Sequence, residues 1–254
     1  MVSPAAAPWW QLQPPHPDEV LFIAIHQAYE LWFKVIIKSL EDSMVDMQVG
    51  KPWSAYHHIR RAVKIMELLV KQISILETMD PASFLVFRGE LNPASGFQSV
   101  QFREIEFLMG LKQPGFLKVF ASEPDLQEAL RRRLEGPDLE SELYALLIRM
   151  RYPIPATVPV TPLDELSERD RAAALEALKQ IYLHPAEHSV VYSLLESLVD
   201  LSTQLGHWRD NHVRVVSRLI GDKMGTGGSE GVGYLKATRA KKPFPLLMEV
   251  RTVL

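Results

Sequence analysis

The sequence of 254 residues contains no cysteine. Disulfides, iron–sulfur clusters, thiolate metal ligands and a cysteine nucleophile are therefore excluded, and any metal site has to use histidine or carboxylate ligands. No apolar run reaches the roughly 20 residues that cross a bilayer without a charge. No basic segment followed by an apolar one is visible at the N-terminus, so the sequence shows no secretory signal. We expect a cytoplasmic protein that does not insert into a membrane.

A strong excess of charge of either sign is also lacking, since 28 lysines and arginines face 31 aspartates and glutamates. A net charge of −3 disfavours nucleic acid or an anionic membrane as the main partner. The hydrophobic content of 47% is ordinary for a soluble globular protein, and a chain of this length can bury a substantial core.

The periodic segments of the chain all have a helical repeat, which predicts an all-α protein. Residues 18–254 are expected to form one domain. Residues 1–17 hold five prolines together with Trp9 and Trp10, so they are predicted to form an extended arm. Two adjacent indoles favour docking of this arm on its own core or on a neighbouring subunit.

The segment from residue 18 to residue 42 is apolar on nearly every side, which predicts a buried helix. One face of this helix places an imidazole among aromatic rings: Phe22, His26, Tyr29, Glu30 and Phe33. Taken alone, His26 is interpreted more readily as a core histidine bonded to a carbonyl than as a ligand-binding residue.

A second unusual polar residue is Arg88. Asp80 and Pro81 form a good helix start, and the helix that follows puts Phe84, Phe87 and Arg88 on one side. A charge on an apolar stripe is costly unless it is paired. An internal ion pair, a guanidinium that reaches the surface and a site for an anionic ligand are all compatible with this position.

The clearest periodicity lies between residues 193 and 222, where apolar residues alternate at spacings of four and three: Leu194, Leu198, Leu201, Leu205, Trp208, His212, Val215 and Leu219. His212 occupies a position where this pattern requires a hydrophobic residue. Such a histidine must be neutral and hydrogen-bonded, or bound to something, although a polar residue in a seam can also set helix register.

Six of the 13 glycines fall between residues 221 and 234. This segment lacks the lysine of a phosphate-binding loop and the spacing of a dinucleotide loop, and it follows a helix instead of a strand. Its composition favours a mobile lid whose backbone N–H groups approach a ligand closely, with a plain flexible linker as the alternative.

Four blocks of the sequence resemble the haem-dependent tryptophan 2,3-dioxygenases: residues 18–34, 76–110, 208–221 and 225–235. The resemblance implies a helical bundle that encloses one haem b, uses O2 as co-substrate and assembles into a homo-oligomer, either a tetramer or a dimer. It also implies a small-molecule substrate, L-tryptophan or a derivative. The reaction of this family is cleavage of the indole C2–C3 bond to give N-formylkynurenine.

The resemblance assigns roles around the iron residue by residue. His212 matches the axial iron ligand of the family, so it is the expected metal and cofactor ligand. His26 matches the distal histidine that contacts the indole N–H. Ser95 and Gly96 match the turn beside the oxygen site, and with His26 they form the expected catalytic group.

The remaining matches concern substrate binding. Phe22 matches a ring that lines the indole pocket, and Arg88 matches the arginine that pairs with the amino-acid carboxylate. Thr226 matches the loop residue that holds the polar end of the substrate. Phe84 stands where some relatives have a tyrosine near the carboxylate.

One departure from the family pattern leaves an alternative reaction open. Relatives carry a tyrosine-rich segment that reaches a neighbouring subunit's pocket, and here the proline-rich arm stands in that place. Relatives with altered pockets insert one oxygen into the indole ring of tryptophan or a methylated tryptophan to give a 2-oxindole, which is the second hypothesis. A haem- or indole-binding sensor and a cofactor-free helical scaffold are further hypotheses. The sensor is less favoured because it has no need to hold a substrate carboxylate.

Overall fold

The computed structural model describes residues 17–88, 99–221, 223 and 232–254. Throughout these ranges the regular structure is helical, without a strand, so the predicted all-α class is confirmed. The predicted arm lies outside the described residues except for Pro17, and the one-domain organisation stays a prediction.

The helices are α1 (Pro17–Gln48), α2 (Pro52–Gln72), α3 (Pro81–Arg88), α4 (Val100–Leu108), α5 (Pro124–Glu135), α6 (Leu139–Arg149), α7 (Glu168–Leu183), α8 (Ser189–Ile220), α9 (Val232–Thr238) and α10 (Pro245–Glu249).

The centre of the bundle is formed by α2, which packs against both α1 and α8. Its sequence shows why, because apolar residues recur at helical spacing and form one fully buried stripe that includes Ile59, Val63 and Met66. The shorter helices α4 and α6 pack on α1. The two longest helices, α1 and α8, are therefore positioned relative to one another by the helix between them.

The predicted seam of α8 is confirmed. Its aliphatic members are all buried: Leu194, Leu198, Leu201, Leu205, Val215 and Leu219. Trp208 and His212 instead keep part of their surface accessible. Trp208 and His212, two consecutive seam positions, are therefore less completely covered than the aliphatic members of the seam.

The prediction that α1 is buried on all sides was wrong. Tyr29, Phe33 and Ile36 are buried against neighbouring helices, whereas the side chain of Leu31 is 70% exposed and Trp32 and Val35 lie beside it at the surface. Apolar composition does not state what covers each face, and the helices that pack on α1 leave this one open. By length and composition α1 is apolar enough to cross a bilayer. Of its most apolar stretch, 28% is buried inside the protein.

The starts of α3 and α7 follow the cap chemistry of the sequence. Asp80 accepts a hydrogen bond from the backbone N–H of Ser83 at 2.8 Å, and Ser167 accepts one from that of Asp170 at 3.1 Å. Ser122 has a side chain suited to capping and is followed by an acidic segment, which predicts a helix start there, but it does not cap α5. The helix begins at Pro124 because proline is favoured at the first helical position.

The proline-rich segment at residues 152–162 is an ordered excursion. Ile154 and Val158 are buried in the main core, and the hydroxyl of Thr157 donates to the Asp170 carboxylate at 2.8 Å. Burial of two branched side chains provides the free energy that holds a segment without regular structure in place. The four prolines of this segment are also compatible with a plain linker, and the burial of Ile154 and Val158 excludes that interpretation.

Glu140 on α6 is an acid held in a poorly solvated position. Burial, with a smaller contribution from the nearby charge of Asp138, raises the pKa of Glu140 from 4.5 to about 8. The hydroxyl of Tyr144 lies 3.4 Å from the Glu140 carboxyl. The folded protein therefore carries a protonated carboxylic acid at neutral pH.

Replacing Glu140 by glutamine should stabilise the protein at high pH. Because the pKa of Glu140 is higher in the folded than in the unfolded chain, its contribution to stability is complete below pH 4.5 and is lost as the pH rises through about 8. A neutral glutamine is free of this loss. We expect Glu140→Gln to match wild type near pH 4.5 and to exceed it at pH 8 by on the order of 2 kcal/mol in the free energy of unfolding.

Urea titrations followed by circular dichroism at both pH values measure the difference. The exposed Glu135→Gln serves as the control and should show no such divergence between the two pH values. Equal stability of Glu140→Gln and wild type at pH 8 would contradict the assignment of a protonated Glu140.

Candidate active site

His212 lies on α8 at one of the two less completely covered positions of the seam. Burial lowers the pKa of His212 from 6.5 to about 4, with smaller contributions from His26 and Arg103. No described residue forms a hydrogen bond with its ring, whose nearest aromatic neighbour is Trp208 at 5.0 Å between ring centroids. His212 is therefore a neutral imidazole that keeps a nitrogen lone pair available at physiological pH.

His26 on α1 is fixed in one tautomer by its own helix. Its Nδ1 lies 2.7 Å from the backbone carbonyl of Phe22, and because a carbonyl only accepts, Nδ1 carries the proton. Burial lowers the pKa of His26, whereas the bond to the Phe22 carbonyl and the charge of Glu30 act in the opposite direction. His26 therefore presents Nε2 as a hydrogen-bond acceptor.

The two imidazoles are close in space although 186 positions separate them in the sequence. Protonation of His26 would lower the pKa of His212, so the two rings lie within electrostatic reach of each other. Sequence periodicity identified each histidine as unusual but gave no information on their proximity. The packing of α2 between α1 and α8 brings the pair together.

Aromatic rings surround His26. The ring centroid of Phe22 lies 4.0 Å from that of His26, 5.6 Å from that of Phe84 and 6.1 Å from that of Phe87. Arg88, the last residue of α3, is half-buried and directly follows Phe87. The structure thus brings Phe22, His26 and Phe84 to the same region, together with Phe87. The role of Arg88 stays a prediction.

A second group of rings backs His212. Phe102 on α4 packs against Trp208 with ring centroids 4.6 Å apart, and Tyr29 lies at 6.3 Å from the same indole. The hydroxyl of Tyr29 donates to the backbone carbonyl of Leu69 on α2 at 2.9 Å. The role of Phe102 was not predictable from local sequence patterns, because Trp208 lies 106 positions away.

A buried charge network joins α4 to α8 three residues before His212. The Glu106 carboxylate, 1% exposed, accepts hydrogen bonds from Arg103 at 2.5 Å and from Arg209 at 2.6 Å. Arg209 also donates to the backbone carbonyl of Lys241 at 2.6 Å. Removing one member would leave a buried charge without its partner, at a cost of roughly 3–5 kcal/mol, so this network fixes α8 beside the site.

An open groove of about 550 Å³ runs along α1 on the side of His26. Its volume is in the range of small-molecule sites. The residues that line it are His26, Gln27, Glu30, Leu31, Lys34 and Gln101.

Three of the predicted site residues lie outside the described residues. Ser95 and Gly96 fall within residues 89–98, and Thr226 falls within residues 224–231, as does most of the glycine-rich segment. The roles given to them stay predictions.

The residues that the structure describes suit a metal ion that is coordinated mainly by a cofactor and needs few ligands from the protein. No group of three or more histidines and carboxylates among them could hold a metal ion. His212 is a single neutral imidazole without a hydrogen bond to the described residues, at a less completely covered position of α8. A haem iron needs only one such protein ligand, because the porphyrin supplies four nitrogens. His212 fits that requirement.

Comparison with known proteins identifies the family. The family model for tryptophan 2,3-dioxygenase matches residues 11–149 and 164–254. The chain is 41% identical over 247 residues to the tryptophan 2,3-dioxygenase of Xanthomonas campestris pv. campestris (strain B100), covering 94% of this chain and 80% of the relative. It is 39% identical over 246 residues to that of Serratia proteamaculans (strain 568), covering 94% and 85%. The chain therefore belongs to the tryptophan 2,3-dioxygenase family.

Proposed function

We propose that this protein is a haem-dependent dioxygenase that cleaves the indole C2–C3 bond of L-tryptophan to give N-formylkynurenine. Family membership supports an oxygenase, and the relatives that match most of the chain carry the name tryptophan 2,3-dioxygenase. The structural observation that supports the proposal is the placement of His26 on α1 and His212 on α8, two helices that meet through the rings of Tyr29 and Trp208 at 6.3 Å, with His212 next to Trp208 at 5.0 Å.

The cofactor of this proposal is haem b, with His212 as its axial ligand. When bound, haem supplies the redox chemistry with O2 that no side chain provides. His212 contributes a lone pair that is not protonated above a pH of about 4. The buried bonds of Glu106 to Arg103 and Arg209 hold the helix that carries it, which keeps the ligand in one position.

His26 holds the indole in this proposal. Its Nδ1 proton is committed to the Phe22 carbonyl, so Nε2 is free to accept the indole N–H. The rings of Phe22, Phe84 and Phe87 provide apolar surface for the indole faces. An apolar surrounding excludes water, which strengthens the polar contacts made inside it.

Arg88 binds the substrate carboxylate. A guanidinium forms two parallel charge-assisted hydrogen bonds with a carboxylate, worth about 1.5–3 kcal/mol. Phe84 has no hydroxyl to assist, so the carboxylate relies on Arg88 on this side. By family resemblance we assign Thr226 to the polar end of the substrate, and Ser95 and Gly96 to the oxygen side.

We also propose that the protein assembles with copies of itself, as a tetramer or a dimer, in the cytoplasm. The exposed face of α1, with Leu31, Trp32 and Val35, supports assembly because apolar patches of this kind mark protein interfaces. The opposite face of α1 packs against α2, α4 and α6, which favours a core helix of a soluble protein over a membrane span.

The proposed reaction incorporates both atoms of O2 into one product. Reduced, haem-loaded protein supplied with L-tryptophan and isotopically labelled O2 should give N-formylkynurenine that carries two labelled oxygens, measured by mass spectrometry. A reaction without protein is the control. A product with one labelled oxygen would identify a 2-oxindole and overturn the dioxygenase proposal.

Replacement of His212 by alanine should abolish stable haem binding, because the iron loses its only protein ligand. The measurement is the Soret absorption of the purified variant after haem loading, and added free imidazole should partly restore it. His207→Ala, at an exposed position on the same helix, is the matched control and should bind haem like wild type. An unchanged Soret band in His212→Ala would disprove the ligand assignment.

Replacement of Arg88 by alanine should lower kcat/KM for L-tryptophan by about ten- to a hundredfold, chiefly through KM, because a two-bonded carboxylate contact is lost. Turnover of 3-methylindole, which has no carboxylate, should change far less. Arg61→Ala, at an exposed position on α2, controls for loss of a positive charge. Equal losses with both substrates would place Arg88 outside the carboxylate site.

A further inference from the structure

Glu30 lies one helical turn beyond His26 and is bound by two side chains from the start of α4. One carboxylate oxygen accepts a hydrogen bond from the hydroxyl of Ser99 at 2.6 Å, and the other accepts one from the side-chain amide of Gln101 at 2.6 Å. The same amide nitrogen lies 3.0 Å from the backbone carbonyl of Glu30. Both oxygens are therefore occupied, and the carboxylate is fixed in one position beside the groove.

Ser99 uses both its donor and its acceptor at this junction. Its oxygen accepts a hydrogen bond from the backbone N–H of Phe102 at 3.2 Å and so caps α4, while its hydroxyl proton goes to Glu30. Phe102 in turn packs on Trp208, the ring next to His212. The bond from Glu30 to Ser99 thus ties the helix of the distal histidine to a helix that supports the other histidine.

The charge of Glu30 also acts on His26. The partners of Glu30 are neutral donors, and no cation of the described residues lies within ion-pair distance of its carboxylate. Its negative charge opposes the effect of burial on the pKa of His26. An imidazole that binds a proton more tightly is also the stronger acceptor for an N–H group. Glu30 thereby strengthens Nε2 as an acceptor without contacting it.

We propose that Glu30 is a positioning residue, which orders the start of α4 and keeps the acceptor nitrogen of His26 strong enough to hold the indole N–H. The inference rests on the proposed function, since it takes tryptophan as the ligand of His26. Glu30 lies outside the predicted site. Its two effects, the hydrogen bonds to the start of α4 and the negative charge near His26, are tested with different substitutions.

The test measures ligand dissociation constants on the haem-loaded protein from the change in Soret absorption. Glu30→Gln removes the charge and keeps one acceptor oxygen, so that one of the bonds from Ser99 and Gln101 remains, whereas Ser99→Ala removes one bond and leaves the charge. The ligands are L-tryptophan and L-3-benzofuranylalanine, an isostere in which oxygen replaces the indole N–H. We expect Glu30→Gln to weaken L-tryptophan binding several-fold and to leave binding of the isostere unchanged.

A double-mutant cycle tests the same effect without the isostere. In a His26→Ala background Glu30→Gln should no longer change the dissociation constant of L-tryptophan, because the residue through which it acts is absent. Two results would contradict an effect through His26: the same several-fold loss of L-tryptophan affinity with and without His26, or equal losses of affinity for L-tryptophan and the isostere. Either result would leave Glu30 with only a structural role in ordering the start of α4. Unchanged L-tryptophan binding in Glu30→Gln would overturn the proposal outright.

The tie is measured separately by hydrogen–deuterium exchange of the peptide at residues 99–108. Ser99→Ala and Glu30→Ala should exchange faster there than wild type, whereas unchanged protection would disprove the ordering role. This measurement needs neither haem nor turnover. Failure of the proposed function, by contrast, would appear in the wild-type protein as a missing Soret band or as no product from L-tryptophan.

Discussion

The structure depends on keeping one imidazole, that of His212, neutral and without a hydrogen bond to the described residues inside a packed helical bundle. Desolvation makes the charged form of such a group costly, and the lowered pKa reflects this cost. The described contacts hold the residues and the helix around His212 in place and do not include a hydrogen bond to the imidazole itself. The rings of Phe102 and Trp208 pack beside it, and the ion pairs of Glu106 hold the helix. Trp208 and His212 are the two seam positions that keep part of their surface accessible.

Helix α1 serves two surfaces at once. Its inner face carries His26 and the buried Tyr29 and Phe33, and its outer face exposes Leu31 and Trp32. Because successive residues of a helix turn by about 100°, neighbours in the sequence such as the exposed Trp32 and the buried Phe33 lie on different faces. The unusually apolar composition of α1 thus results from two separate demands, a core and an exposed apolar face.

The sequence predicted what local patterns encode. The seam of α8 follows from spacing, and the starts at Asp80 and Ser167 follow from cap chemistry, both of which act within a few residues. His26 and His212 were recognisable because each polar residue stood on an apolar stripe. Their proximity, the tie between Glu30 and Ser99, and the network of Glu106 were not predictable, since each joins residues at least 69 positions apart. The burial of α1 was overestimated because apolarity does not identify the covering partner.

The excursion between α6 and α7 has a practical consequence for hybrid proteins. The family model leaves residues 150–163 unmatched, yet Ile154 and Val158 fill space in the main core. Core volume in this chain is therefore supplied partly by a stretch that the family model does not match. Exchanging that stretch for a relative's loop would open a void, so crossover points belong inside the matched helices on either side, with the excursion transferred together with its partners.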